Sequence, residues 1–299
     1  MARSTSSLRR LVLLWTLLAL TTGLVAVVMV AVAGPLYKHE AIHLGTAFGL
    51  LRHGAWVGFA AVAAGVLGVI GALLVRHMSA TLIGVLALAL GFGSFAWPWM
   101  MLRHAESVPP IHDISTNTAH PPRFLALAQA RAKAPNGLDY GGGGPHIAKA
   151  EVASLAKFLE SPAGRKDPQH EAVAKACTSW SPTCLAAVQE AYYPGIRPLP
   201  APGIEPARAY EAALGTARAM GWKIAASDAD TRHIEASATT AWFGFTDDIA
   251  INVVPVGNGS VVNVRSESRL GLSDIGKNAA RVRDYLNRLA HRLNQIHAR

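Results

Sequence analysis

The stretch TTAWFGFTDDIAINVVPVGNGSVVNVRSESRLGLSDIGKNAARVR, Thr239–Arg283, decides the fold. It opens on an aromatic turn, Trp242-Phe243-Gly244-Phe245, followed by the paired acids Asp247 and Asp248. Ile249, Ile251 and Val253 alternate with other residues, and Val262 and Val264 do the same after Asn258-Gly259. Period-two alternation on both sides of Asn-Gly is the signature of a β-hairpin. The second strand ends in Arg265-Ser-Glu-Ser-Arg269, and Ser273 or Asp274 then stands where a helix N-cap belongs.

Working outward, Ile275, Val282, Leu286, Leu289, Leu293 and Ile296 recur at helical spacing. Upstream, Ala209–Met220 reads as a helix stopped by Gly221, and Trp222–Ser227 and Arg232–Thr240 alternate as strands. The order α-β-β-β-β-α from Glu205 onward predicts a four-stranded antiparallel sheet with helices on one face. The fold class is therefore α+β, and the compact part spans residues 205–299.

The first third of the chain is different. Residues 1–101 hold six Lys/Arg and a single acid, Glu40, and three runs carry no charge: Leu11–Tyr37, Ala55–Val75 and Ala80–Met101. About 20 apolar residues cross a bilayer as a helix, so residues 1–101 predict three transmembrane helices. Ala60, Ala64, Gly68 and Ala72 in the second run, and Gly84, Ala87, Gly91 and Ser94 in the third, offer small faces for close helix packing. No charge lies inside a span, which argues against an ion or proton path. Arg3, Arg9 and Arg10 before the first span, and Arg76 between the second and third, place the N-terminus in the cytoplasm. Three crossings then put residues 102–299 outside the cytoplasm; in a Gram-negative bacterium the anchor lies in the inner membrane and the domain in the periplasm. Ala31-Val32-Ala33 resembles a signal-cleavage site, but the apolar stretch before it exceeds the 7–15 residues of a signal core.

Residues 102–204 form the third segment. Pro109-Pro110 and Pro121-Pro122 bracket a stretch that reads as an extended strap, with a short Ala-rich helix at Phe124–Ala134 and a glycine run, Gly141–Gly144. That run lacks the Lys-Ser/Thr of a phosphate loop. Ala148–Leu159 looks helical, and Cys177 and Cys184, the only cysteines, predict a disulfide outside the cytoplasm.

Three groups of residues are candidates for chemistry. Asp247 and Asp248 begin one hairpin strand, while Arg265, Ser266, Ser268 and Arg269 end the other, so the two acids and two arginines are expected to meet. With Asp274 and Asn278 they form either a structural polar cluster or an anion-binding site at the start of the last helix. Lys277, Arg281, Arg288 and Arg292 lie within about 60° on that helix and form a basic stripe. Eight basic residues against three acids from Arg265 to Arg299 make anionic lipid the expected partner, rather than nucleic acid. Finally, His39-Glu40-Ala41-Ile42-His43 matches H-E-x-x-H, which on a helix would let both histidines share a zinc ion. No third ligand stands nearby.

Four motifs in order, PPIHDIST at 109–116, YPGIRPL at 193–199, WFGFTDD at 242–248 and RSESRLGLSDIGKN at 265–278, resemble the domain-of-unknown-function family 1499. The resemblance covers roughly Val108–Leu293, with Gly195 where the family often has Asp, and it implies a fold and no activity. The functional expectation is a non-enzymatic, membrane-tethered module that binds an envelope protein or lipid ligand and uses no cofactor. The alternative is a membrane metallohydrolase built on His39, Glu40 and His43.

Overall fold

The computed structural model describes residues 2–142 and 145–297; Gly143 and Gly144 of the glycine run, and the last two residues of the basic C-terminal stretch, lie outside them. The chain divides into two compact units, residues 1–103 with 241–244, and residues 104–240 with 245–299.

The first unit is built from three helices, α1 (Ala2–Lys38), α2 (Leu44–Leu74) and α3 (Met78–Ser107). All three are long and apolar enough to cross a membrane, which makes this a membrane-anchored protein. The buried face of α2 is Gly54, Gly58, Ala61, Gly65, Gly68 and Ala72, and that of α3 is Ala80, Gly84, Ala87, Gly91 and Ser94. The third-span face is as expected. The second is rotated: Ala60 is exposed, because burial follows the 3.6-residue period through 54, 58, 61 and 65 instead of strict i+4 steps. Arg9 Nε donates to the Val75 carbonyl at 3.1 Å, satisfying an acceptor that the end of α2 leaves open.

The zinc reading of His39–His43 loses its helical geometry here. It needs one helical face, but α1 ends at Lys38 and α2 begins at Leu44. Glu40 sits at φ 58°, in the left-handed region, so the two histidines are not one helical turn apart. Among the described residues no cluster of three His, Cys, Asp or Glu could hold a metal.

The second unit is an antiparallel sheet of six strands rather than four. The four expected strands are β3 (Lys223–Asp228), β4 (His233–Thr239), β5 (Thr246–Val256) and β6 (Gly259–Ser268). Two three-residue strands, β1 (Asp113–Ser115) and β2 (Leu199–Ala201), both pair antiparallel with β6. The order is β1-β6-β5-β4-β3, with β2 beside the opposite end of β6 from β1. Residues 102–204 thus supply the two short strands that complete the sheet.

One face of the sheet carries Ile234, Ile249, Ile251, Val262 and Val264, packed with Tyr285 and Leu289 of α9 (Lys277–His297) and Ala213 and Ala217 of α8 (Pro206–Ala219). The other face is covered by the strap, where Phe124 and Leu127 close over Ala250. The expected Phe124–Ala134 helix shrinks to α4 (Ala128–Arg131), since the residues before it run over the sheet. Three further helices, α5 (Pro145–Glu160), α6 (His170–Ala176) and α7 (Pro182–Tyr192), follow in the chain, with α6 packed against α5 and α7. Gln189 of α7 makes both peptide-like hydrogen bonds to Ser115, accepting from its N–H at 2.8 Å and donating to its carbonyl at 2.6 Å. A side-chain amide thereby stands in for the missing neighbour of β1. Cys177 and Cys184 are joined, tying the end of α6 to α7.

Candidate functional site

Successive residues of a strand point to opposite faces of a sheet. Asp247 and Asp248 are therefore separated, and so are the alternating residues of Arg265-Ser-Glu-Ser-Arg269. The expected single cluster is two clusters, one on each face.

The strap face holds a charge network. Arg265 Nε and Nη2 donate to both carboxylate oxygens of Asp113 at 3.0 and 2.9 Å, and Nη2 also donates to Glu267 at 2.9 Å. Asp248 accepts a two-point contact from Arg269 at 2.8 and 2.9 Å and a third from Arg131 of α4 at 3.0 Å. Arg131 Nη2 lies 2.8 Å from Glu267, an ion contact outside hydrogen-bond geometry. Three guanidinium groups thus face three carboxyl groups, all buried except for the half-buried Arg269. The planes of Arg131 and Arg265 lie over the Phe124 ring at 4.8 Å each. Burial, reinforced by the neighbouring Asp113, holds Glu267 well above the usual carboxylate range, against the pull of Arg265 and Arg131. Of the expected pairs, Asp248–Arg269 forms. Arg265 instead meets Asp113, which β1 brings opposite Glu267.

The helix face holds Asp247, Ser266, Ser268, Asp274, Asn278 and Arg281. Arg281 Nη2 donates to Asp247 at 2.5 Å, and its Nη1 donates to Ser266 and Asn278. Asn278 accepts from Ser266 and donates to Ser268 and to the His112 carbonyl. Asp274 is the working cap: its two oxygens accept from the Gly276 and Asn278 N–H groups at 2.8 and 2.7 Å. Burial of its carboxyl pushes Asp274 up to about 6, with Asp247 adding repulsion, against those two backbone bonds. Close by, His112 Nε2 lies 2.7 Å from Glu151 of α5, and both side chains are buried. That pair carries no sequence signal, because the two residues stand in different elements.

Glu235 of β4 was also missed. Its carboxylate accepts the N–H groups of Leu125, Ala126 and Leu127 at 2.8, 2.8 and 2.9 Å and lies 3.2 Å from His233. Burial alone would raise this carboxyl, but His233 and the three backbone donors together bring it down to about 2. A lowered carboxylate stabilises the fold above its unfolded value, about 4.3, and that contribution disappears as pH falls through about 2. Glu235→Gln is therefore expected to lower stability at pH 7 by about 3 kcal/mol. The deficit should vanish toward pH 2, as read by urea unfolding of the full chain in detergent at a series of pH values.

The basic stripe is not uniform. Arg281 is drawn onto Asp247, and Arg292 lies half-buried against α8 beside Arg208 and Glu211 in an open groove. Lys277 and Arg288 are exposed, as is Arg283, with Arg288 bonded to Asp284 at 2.9 Å. Half of the stripe therefore serves the fold, and Arg283, absent from it, faces solvent. A second groove, of about 180 Å³, is lined by Leu199, Pro202, Ile204, Ala290 and Leu293. Neither groove contains Asp247, Asp248, Ser266 or Ser268.

Three apolar helices followed by a six-stranded antiparallel sheet, with charge pairs on one face and a capped helix on the other, define a membrane-anchored α+β protein. Within that class, residues 113–289 match the model of the family described as "Protein of unknown function (DUF1499)", more than half of the chain, and the protein belongs to that family. The matched span starts at Asp113 and runs past the α9 cap, so it contains both polar clusters. A search of curated proteins found no match.

Proposed function

We propose that this protein is a membrane-tethered, non-catalytic binding module, held outside the cytoplasm, whose domain engages anionic lipid head groups of the envelope. One observation carries the reading: the interior charges are matched among themselves, whereas Lys277, Arg283 and Arg288 of α9 face solvent with Asp284 as the helix's one acid. Each basic residue near an anionic surface contributes about 1 kcal/mol, or roughly fivefold in binding. The buried and engaged state of the nominated acids and serines argues against their use as a nucleophile or base toward a soluble substrate. The Arg-rich N-terminus and the disulfide favour the extracytoplasmic side.

Native mass spectrometry of the full chain, released from micelles containing equal phosphatidylglycerol and phosphatidylcholine, tests the proposal. Preferential retention of phosphatidylglycerol is expected, weaker at high salt because of screening. K277Q/R283Q/R288Q should lose most of that preference with an unchanged melting temperature, as these side chains are exposed. Equal retention of both lipids by the parent, or an unchanged preference in the triple variant, would make α9 an ordinary solvated surface.

A further inference from the structure

The outer edge of β3 is an unpaired sheet edge. Among the described residues, β3 is the last strand in the order and pairs with β4 alone. Its six residues, Lys223-Ile-Ala-Ala-Ser-Asp228, begin with a cation and end with an anion. An irregularity between Ile224 and Ala226 shifts the register by one residue, so Lys223 pairs with Ser237 and Asp228 with His233. Lys223 and Asp228 are five apart and would point to opposite faces of a regular strand. The shift brings them to the same face, the one on which Glu235 and Ser237 lie.

This matters because of symmetry. Two copies of one strand that pair antiparallel are related by a two-fold axis perpendicular to the sheet, which leaves each face continuous. Residues opposite each other across the axis must then share a face. With Lys223 opposite Asp228 of a second copy, both ends of the pairing carry an opposite-charge pair, and the small residues Ala225 and Ala226 meet at the centre. Lys223, Ala225, Ser227 and Asp228 are all exposed. The Asp228 carboxylate is fixed by the Asp230 N–H at 2.9 Å and the Thr231 hydroxyl at 2.8 Å, which hold it charged at the strand end. We infer that β3 is a homodimer edge, joining two copies of this chain into one continuous sheet. Six residues of edge pairing are a small interface for proteins free in solution. Anchoring both copies in one bilayer raises their effective concentration and makes a small interface sufficient.

Cross-linking of the full chain in native membranes tests the inference. Along one strand Cα223 and Cα228 are about 17 Å apart, and a disulfide needs less than about 7 Å. Lys223→Cys and Asp228→Cys in one chain therefore cannot bond to each other, but each lies opposite the other's counterpart in the dimer. K223C/D228C is expected to give a covalent dimer on mild oxidation, and neither single variant should. Charge reversal supplies an independent arm, read by light scattering in nanodiscs. K223D should abolish the dimer by placing two acids at each end, and K223D/D228K should restore it. Equal cross-linking by the single variants, no cross-linking by the double, or no rescue by the charge swap would overturn the inference and leave Lys223 and Asp228 as charges that blunt a free edge.

Discussion

Arg265→Met should destabilise the protein by about 3–5 kcal/mol, the range for removing one partner from a buried ion network. Arg265 is 1% exposed and is bonded at once to Asp113, Glu267 and the Leu138 carbonyl. Its loss leaves Asp113 facing Glu267 across adjacent strands, with Arg131 as the remaining cation beside Glu267. Glu267, already held above the usual carboxylate range, loses the pull of Arg265 and is held there more strongly, and a raised carboxyl stabilises below the unfolded value and not above it. The variant should consequently gain stability relative to the parent as pH falls from 7 toward 4, opposite in sign to Glu235→Gln. Urea unfolding of the full chain in detergent, followed by tryptophan fluorescence, gives both numbers. Arg265→Lys keeps the charge but loses the two-point fork on Asp113 and the stacking on Phe124, so it should fall between parent and Met. If Met and Lys behave alike and neither depends on pH, the charge of Arg265 is not what the network requires. Replacing Asp113, Arg265 and Glu267 together by apolar residues should recover much of the loss, since no uncompensated charge remains.

The hairpin, the strands of β3 to β6 and both long helices of the domain were legible because each carries a period long enough to count. Ile249, Ile251 and Val253 alternate over a strand of eleven residues, and the α9 stripe runs from Val282 to Ile296, about four turns, with Ile275 left outside the helix at φ 51°. β1 and β2 were not legible for the same reason inverted. Three residues such as Asp113-Ile-Ser115 contain no period, and prolines around them read as strap. What makes them strands is β6, a partner 59 or more residues away that offers open backbone groups on its outer side.

The candidate site was half legible. Composition and position singled out Asp247, Asp248, Arg265, Ser266, Ser268, Arg269, Asp274 and Asn278, and all eight are in buried or half-buried hydrogen-bonded clusters. Applying the pleat to the polar residues, as was done for the apolar ones, would have split them into two faces in advance. Their partners Asp113 and Arg131 could not be found from the sequence, because they arrive from elements whose positions only the topology sets. The H-E-x-x-H at residues 39–43 shows the reverse case: correct spacing does not put both histidines on one helical face when the backbone leaves the helix, and Glu40 marks the point where it does.

The membrane unit makes the second strong prediction. Where α2 and α3 cross, a Cβ added to Gly58 would lie 2.7 Å from the Gly91 carbonyl oxygen, and one added to Gly91 would lie 2.7 Å from that of Gly58. Backbones touch at this point, and in lipid such contact is the attraction itself, because the acyl chains offer apolar surface as good as any side chain. Gly91→Leu must push the helices apart and forfeit the contacts along the rest of the small faces, Gly65 against Leu88 and Gly84 against Val69 included. The expected loss is about 3 kcal/mol, at the upper end for overpacking a close-packed site. Gly93→Leu, two residues away on the same helix, is the control. A Cβ there meets nothing within 4 Å, and Gly93 is exposed. Both substitutions improve helix propensity by the same amount, so the difference between them reports packing alone. In a titration of the full chain from mild detergent into dodecyl sulfate, Gly91→Leu should unfold at a markedly lower dodecyl sulfate fraction and Gly93→Leu at or above the parent's. Equal behaviour of the two would mean that the crossing at Gly58 and Gly91 does not hold the helices together.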